Sequence, residues 1–173
     1  MTLRRFFRNF SMKIPNFAHF LAFSVPLLIL AACGGYAIGS IPWAFILVQL
    51  RSHRDIRLEG SGNVGTLNSF VVTGSKRVGV AVLLLDLAKG FAAAMFGRFL
   101  GGGDFAFVAV AALGAVLGHN YPVWLRFQGG RGLAPAAGGM FAIAWLVVPA
   151  WCLLWGIAYF FLRSVNPAST VAC

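Results

Sequence analysis

At 173 residues, 60% hydrophobic and 10% charged, with a mean hydropathy of +0.83, the chain is not a soluble domain, which would carry about 25% charged residues. Its apolar runs lack the period-two alternation of a membrane β-barrel. The net charge of +10, from 14 Lys and Arg against 4 Asp and Glu, falls mostly between apolar runs and orients the chain by the positive-inside rule, so nucleic acid is not the expected partner.

The expectation is an all-α, polytopic integral membrane helical bundle with about five core transmembrane segments and room for an extra N-terminal apolar one. Residues 1–33 form a basic extension with an apolar segment, 34–163 the membrane domain, and 164–173 a short polar tail. Met1 to Asn16 carries Arg4, Arg5, Arg8 and Lys13 and no acid. The apolar run from Phe17 to Leu50 exceeds one spanning helix of about 20 residues. Three readings of its front part stay open: a signal sequence, with Leu30-Ala31-Ala32-Cys33 resembling a lipoprotein cleavage box; an uncleaved extra segment; or an upstream extension, Met12 being a second candidate start.

Gly34 to Leu50 reads as the first core helix, kinked at Gly39-Ser40-Ile41-Pro42, where proline frees a carbonyl and Ser40 offers a hydroxyl at membrane depth. Arg51 to about Arg77 is expected as one long loop or re-entrant segment. It contains Gly60-Ser61-Gly62-Asn63-Val64-Gly65, whose glycines let backbone N–H groups turn inward as an anion nest. Ser61, Asn63 and Asn68 add side-chain donors, and Arg51, Arg54 and Arg57 add guanidinium groups that grip phosphate in pairs. The competing reading is a surface loop whose arginines meet lipid head groups.

Val78 to Gly97 is the second helix, with Asp86 and Lys89 on one face, able to neutralise one another or to reach a site. Phe105 to Leu125 is the third, ending in Gly118-His119-Asn120-Tyr121-Pro122. His119 can bind phosphate, shuttle a proton or hydrogen-bond a carbonyl. Arg126-Phe127-Gln128-Gly129-Gly130-Arg131-Gly132 repeats the chemistry of the first loop. Leu133 to Leu162 reads as two short spans broken at Pro149, and Arg163 marks the exit. Cys33, Cys152 and Cys173 show no metal-ligand spacing, and neither metal nor cofactor is expected. With these spans both glycine loops fall on one side, which the positive-inside rule makes cytoplasmic.

Taken in order, Gly39-Ser40-Ile41-Pro42, Asp55-Ile56-Arg57, Gly60 to Gly65 with Asn68, Asp86 with Lys89-Gly90, Gly118-His119 with Pro122, and Gly129-Gly130-Arg131-Gly132 resemble the acyl-phosphate-dependent glycerol-3-phosphate acyltransferases, the PlsY family. The resemblance runs from about Tyr36 to Ser169. It implies a multi-pass enzyme of the bacterial inner membrane, acting in phospholipid synthesis, that moves a fatty acyl group from acyl phosphate to the 1-hydroxyl of glycerol 3-phosphate, giving lysophosphatidic acid. In family terms Ser40, Arg57 and Arg131 hold glycerol phosphate. Ser61, Asn63, Asn68 and the glycine amides of both loops (Gly62, Gly65, Gly129, Gly130, Gly132) hold acyl phosphate, and His119 supports the second loop or the site. The proton acceptor is a substrate phosphate, Asp55 and Asp86 serving to orient arginine or lysine.

The chain departs from the family pattern at Thr66-Leu67, at Val71 in place of an arginine, at Arg131 in place of a lysine, at Ala134-Pro135, and at Asn166-Pro167-Ala168-Ser169. The family pattern has two further spans beyond these, bearing another site histidine, and the 173-residue sequence does not contain them. Two other functions stay open: a catalytically inactive or truncated paralogue that binds phosphorylated lipid or a partner subunit, and a small anion transporter.

Overall fold

The computed structural model describes residues 17–162. The expectations for Met1 to Asn16, Arg163 and the tail to Cys173 lie outside the described residues. Seven α-helices follow in order among them: α1 (Phe17–Gly39), α2 (Trp43–Ser52), α3 (Thr66–Thr73), α4 (Lys76–Leu100), α5 (Phe105–Asn120), α6 (Leu133–Ile143) and α7 (Val147–Leu162). Two 3-10 turns, Ile56–Leu58 and Val123–Leu125, sit in the polar connections. No strand occurs among the described residues.

Several boundaries differ from expectation, each for a local reason. The first core helix is two helices, because Pro42 has no N–H to give and excludes Ile41 from helical backbone. Residues 33 and 34 lie within α1, so the chain crosses that expected boundary without interruption. The long loop from Arg51 to Arg77 contains a 3-10 turn and α3, whose end is set by Gly74 in the left-handed region at φ 63°. The third helix stops at Asn120. The break in the last apolar run falls at residues 144–146 rather than at Pro149. Pro149 is the third residue of α7, where a missing N–H costs no helical hydrogen bond.

Among the described residues, three segments are long and apolar enough to cross a membrane: Ser24–Ser52, taken through its break, Lys76–Leu100 and Phe105–Leu125. The five expected spans thus comprise these three and two shorter apolar helices. With 11 residues, α6 is about 16 Å long, half the hydrocarbon thickness.

Glycines set how closely the helices pack. Gly35 and Gly39 of α1 lie against the backbone of Ala111 and Ala115 in α5, while Gly114 and Gly118 of α5 lie against Ala32 and Tyr36 in α1. The matching order shows that the two helices run parallel and in register, as in small-residue membrane interfaces where bare backbones approach. Their ends, Ser40 and His119, therefore reach the same level. The intervening α4 runs the other way, seating Gly97 on Phe107 and Gly90 on Pro135 of α6. Both polar connections consequently emerge at one end of the bundle. At that end Ala44, Val48, Ile56, Val64, Val82 and Leu125 form the buried core. At the other, Ala31 packs with Phe107 and Ala111, so the segment around Leu30 to Cys33 contributes to the bundle core.

Candidate active site

The first connection is built around a carboxylate. Asp55 caps the Ile56–Leu58 turn by accepting the backbone N–H of Arg57 at 3.0 Å. The same carboxylate receives Arg57 Nε at 3.0 Å and Nη2 at 2.6 Å, a forked pair that fixes the guanidinium plane. Arg57 Nη1 donates to the Leu125 carbonyl at 3.3 Å, and the guanidinium lies 5.4 Å from the centre of the Phe45 ring. One N–H on each terminal nitrogen is left for a ligand. The hydrogen bonds from Arg57 hold the Asp55 carboxyl below its ordinary value, and the Asp55 contact raises Arg57, so both stay charged.

Beyond this turn the chain doubles back through Gly60 and Gly62, at φ 57° and 72°, conformations that favour glycine. Asn68 organises the turn from α3. Its Oδ1 accepts the Ser61 N–H at 3.0 Å, and its Nδ2 donates to the carbonyls of Ile56 at 3.1 Å and Glu59 at 3.0 Å. Both amide hydrogens are thus engaged and Asn68 is buried. The expected contact from Asn68 to acyl phosphate gives way to a role in holding the loop.

The two glycine loops meet. Val64 N–H donates to the Gly129 carbonyl at 3.4 Å, while Gly129 N–H bonds Asn120 O at 3.1 Å and Gly130 N–H bonds His119 O at 3.0 Å. Gly130 packs so closely on the His119 ring and on Val64 O, 2.6 Å from where its Cβ would stand, that no side chain fits there. His119 is buried and supports the second loop from beneath.

The expected glycine-amide nest takes a different form. The N–H groups of Ser61, Gly62, Gly65, Gly129 and Gly130 all donate within the protein, because a loop with this many turns must satisfy its own backbone first. The open donors lie one step on. Gly65 and Gly132 are the N-caps of α3 and α6, and neither helix has a side-chain cap. Among the described residues, the first-turn N–H groups of Thr66 and Leu67, and of Leu133 and Ala134, find no acceptor. Two helix starts therefore present bare amides and a positive dipole end, the arrangement that receives phosphate. Half-buried Asn63 and exposed Ser61 lie just before one, exposed Arg131 just before the other.

Beneath the loops a narrow pocket is lined by Ser40, Pro42, Val64, Asp86, Lys89 and His119. Ser40 is 1% exposed, and its hydroxyl is held at both ends. It donates to Ala37 O at 2.9 Å and accepts the Trp124 indole N–H at 3.0 Å. Lys89 reaches across from α4 to donate to the Ile41 carbonyl at 2.9 Å, in the break between α1 and α2, where the same carbonyl accepts the Trp43 N–H at 3.1 Å. Lys89 Nζ is 3.0 Å from Asp86 Oδ1, and His119 Nδ1 is 3.6 Å from the same oxygen. No donor approaches that oxygen in a hydrogen-bonding direction. The pairing of Asp86 with Lys89 is as the three-residue spacing suggests. The reach of Lys89 to Ile41 and of Trp124 to Ser40 has no sequence signal, since the partners lie 48 and 84 positions apart. Among the described residues no cluster of His, Cys, Asp and Glu could hold a metal ion.

The sequence profile of the family described as glycerol-3-phosphate acyltransferase matches residues 29–173. A glycerol-3-phosphate acyltransferase of Rhodopseudomonas palustris (strain BisB5) is 39% identical over 148 residues, covering 86% of this chain and 74% of that protein. One of Ruegeria pomeroyi is 46% identical over 136 residues, covering 78% and 66%. The crystal structure of PlsY, an integral membrane glycerol 3-phosphate acyltransferase, in its glycerol 3-phosphate form superposes with a TM-score of 0.73 at 36% identity, covering 84% of this chain and 72% of that one. Its lysophosphatidic acid form gives 0.72 at 34% identity. The chain spans from 66% to 74% of the length of these two curated relatives.

Proposed function

The chain belongs to the glycerol-3-phosphate acyltransferase family of integral membrane enzymes, and from that membership we propose that it transfers a fatty acyl group from acyl phosphate to the 1-hydroxyl of glycerol 3-phosphate. The hydroxyl oxygen attacks the acyl carbon, the bond from that carbon to the phosphate oxygen breaks, and the hydroxyl proton passes to phosphate. Lysophosphatidic acid and inorganic phosphate leave. The donor is already activated, so the protein's task is to position two phosphorylated molecules and to stabilise charge on the acyl oxygen and the leaving group.

The observation that carries this reading is the Val64–Gly129 hydrogen bond. It joins the two loops that lead into the uncapped starts of α3 and α6 and that carry Arg57 and Arg131. Arg57, with an N–H free on each terminal nitrogen, and Arg131 receive the glycerol phosphate. Asn63, Ser61 and the first-turn amides of α3 and α6 receive the acyl phosphate, whose chain runs down the apolar helices. Ser40 and His119 shape the floor.

Among the described residues, Arg51, Arg54, Arg57, Lys76, Arg77, Arg126 and Arg131 stand at the loop end with the acids Asp55 and Glu59, whereas the far connection between α4 and α5 carries Arg98 and Asp104. This asymmetry supports a cytoplasmic site in the bacterial inner membrane.

The test is phosphate release by purified protein in detergent or bilayer supplied with acyl phosphate and glycerol 3-phosphate. Release that falls about a hundredfold or more in Arg57→Ala and Arg131→Ala is expected, since each removes a charge-assisted phosphate contact. Folded protein that binds both compounds and releases no phosphate would instead be a phosphorylated-lipid binder.

A further inference from the structure

Asp86 occupies the point at which the α1–α2 break and the second glycine loop both reach into the bundle. One of its oxygens faces Lys89 Nζ at 3.0 Å and His119 Nδ1 at 3.6 Å, and all three side chains are at most 8% exposed. Each partner is also engaged elsewhere, Lys89 through the same ammonium nitrogen and His119 through its carbonyl and the opposite edge of its ring. Lys89 donates to the Ile41 carbonyl next to Ser40. His119 accepts the Gly130 N–H on its carbonyl and lays its Nε2 edge against Gly130.

A buried charge left alone costs several kcal/mol, so neutralisation accounts for Lys89 lying beside Asp86. It does not account for the rest. A lysine that served only as counter-ion, three residues along the same helix, needs no acceptor on another helix, and neutralisation does not turn a histidine from α5 toward the same oxygen. The two partners also lead to different parts of the site, one to the segment bearing Ser40 and the other to the loop bearing Arg131.

We propose that Asp86 is a positioning residue for acyl transfer. Through Lys89 it holds the break that carries Ser40, and through His119 it holds the loop Gly129 to Gly132, keeping the two in register. Its consequence for rate rests on the acyltransferase reading above; its structural content does not. Register matters because a misplacement of about 1 Å can cost on the order of a hundredfold in rate.

Amide hydrogen exchange of the full chain in detergent separates the possibilities. Asp86→Asn is expected to speed exchange both at residues 39–44 and at 126–132, leaving the far turn at 101–104 unchanged. Lys89→Gln should loosen only the first segment and His119→Gln only the second. The double variant D86N/K89Q carries no unpaired buried charge, and it should regain thermal stability while still exchanging faster at 126–132. It also serves as the comparison if D86N alone does not fold. Return of both segments to wild-type exchange in the double variant would reduce Asp86 to a counter-ion, and an even loosening of α4 and α5 would make it a general packing residue; either overturns the proposal.

In the phosphate-release assay, D86N/K89Q should lose about tenfold to a hundredfold in kcat/KM for glycerol 3-phosphate. Variants that show the exchange pattern, beside a wild-type protein that releases no phosphate, sink the acyltransferase reading and leave the positioning role standing. An active wild-type enzyme whose variants lack the pattern sinks the positioning role alone.

Discussion

The side chains of the polar connections divide into those with donors left open and those turned into the loop, and Asn68 shows how the division is made. A buried carboxamide has two donors and an acceptor to satisfy. Here Ser61 N–H and the carbonyls of Ile56 and Glu59 satisfy all three, from within twelve residues. Leaving such groups unpaired costs about 1–3 kcal/mol each where they are buried. Asn68→Ala should therefore lower unfolding stability in detergent by about 3 kcal/mol. Asn68→Asp, which keeps the acceptor but turns a second oxygen toward the two carbonyls, should do comparable damage. A thermal or denaturant titration in which N68A unfolds like wild type would contradict this. The sequence puts Asn68 beside the glycine loop but does not give its direction, because an asparagine near a glycine loop reads alike whether its amide faces substrate or backbone.

Helix packing follows the positions of small residues more than the apolar pattern. In a lipid solvent apolar surface gives helices no reason to associate, and close backbone approach supplies the dispersion contacts instead. Gly114 has Ala32 O 2.5 Å from where its Cβ would stand, with the backbone of Tyr36 and Gly35 beyond, so nothing there can yield by a side-chain rotation. Gly156 in α7 has nothing within 4 Å. Gly114→Val should destabilise by about 3 kcal/mol or prevent folding, as overpacking in a rigid site does. Gly156→Ala should be neutral or stabilising by up to about 1 kcal/mol through helix propensity. Melting curves of the two variants in one detergent check the contrast; equal effects would mean that α1 and α5 do not meet through their glycines.

At the scale of the whole molecule the parallel pairing of α1 with α5, and the opposite run of α4, carry both polar connections to one end. Single cysteines placed at Ser61 and at Arg126 in a background with Cys33, Cys152 and Cys173 replaced by alanine should react with a membrane-impermeant thiol reagent only from the cytoplasmic side. A cysteine at Gly103 should react only from the other. Labelling of Ser61→Cys and Arg126→Cys from opposite faces would separate the two loops and remove the basis of a shared site.

Much of this was legible in composition and order. Apolar runs of membrane length, glycine-rich polar connections and the bias of basic residues suffice for a helical membrane bundle with both loops on one side, because lipid requires every spanning backbone to satisfy itself and charge orients what remains. The interior was not legible. That Ser40 receives an indole N–H from Trp124, that Lys89 bonds the Ile41 carbonyl in the break after α1, and that Asp86 faces partners on two routes are matters of approach between distant segments. Such approaches are set by which glycines let two helices touch and at what register, a property of the packed pair rather than of either stretch of sequence. Even the nest was decided there: a loop read alone offers its glycine amides to an anion, whereas the folded pair of loops engages them internally and leaves open the amides of the next turn of helix.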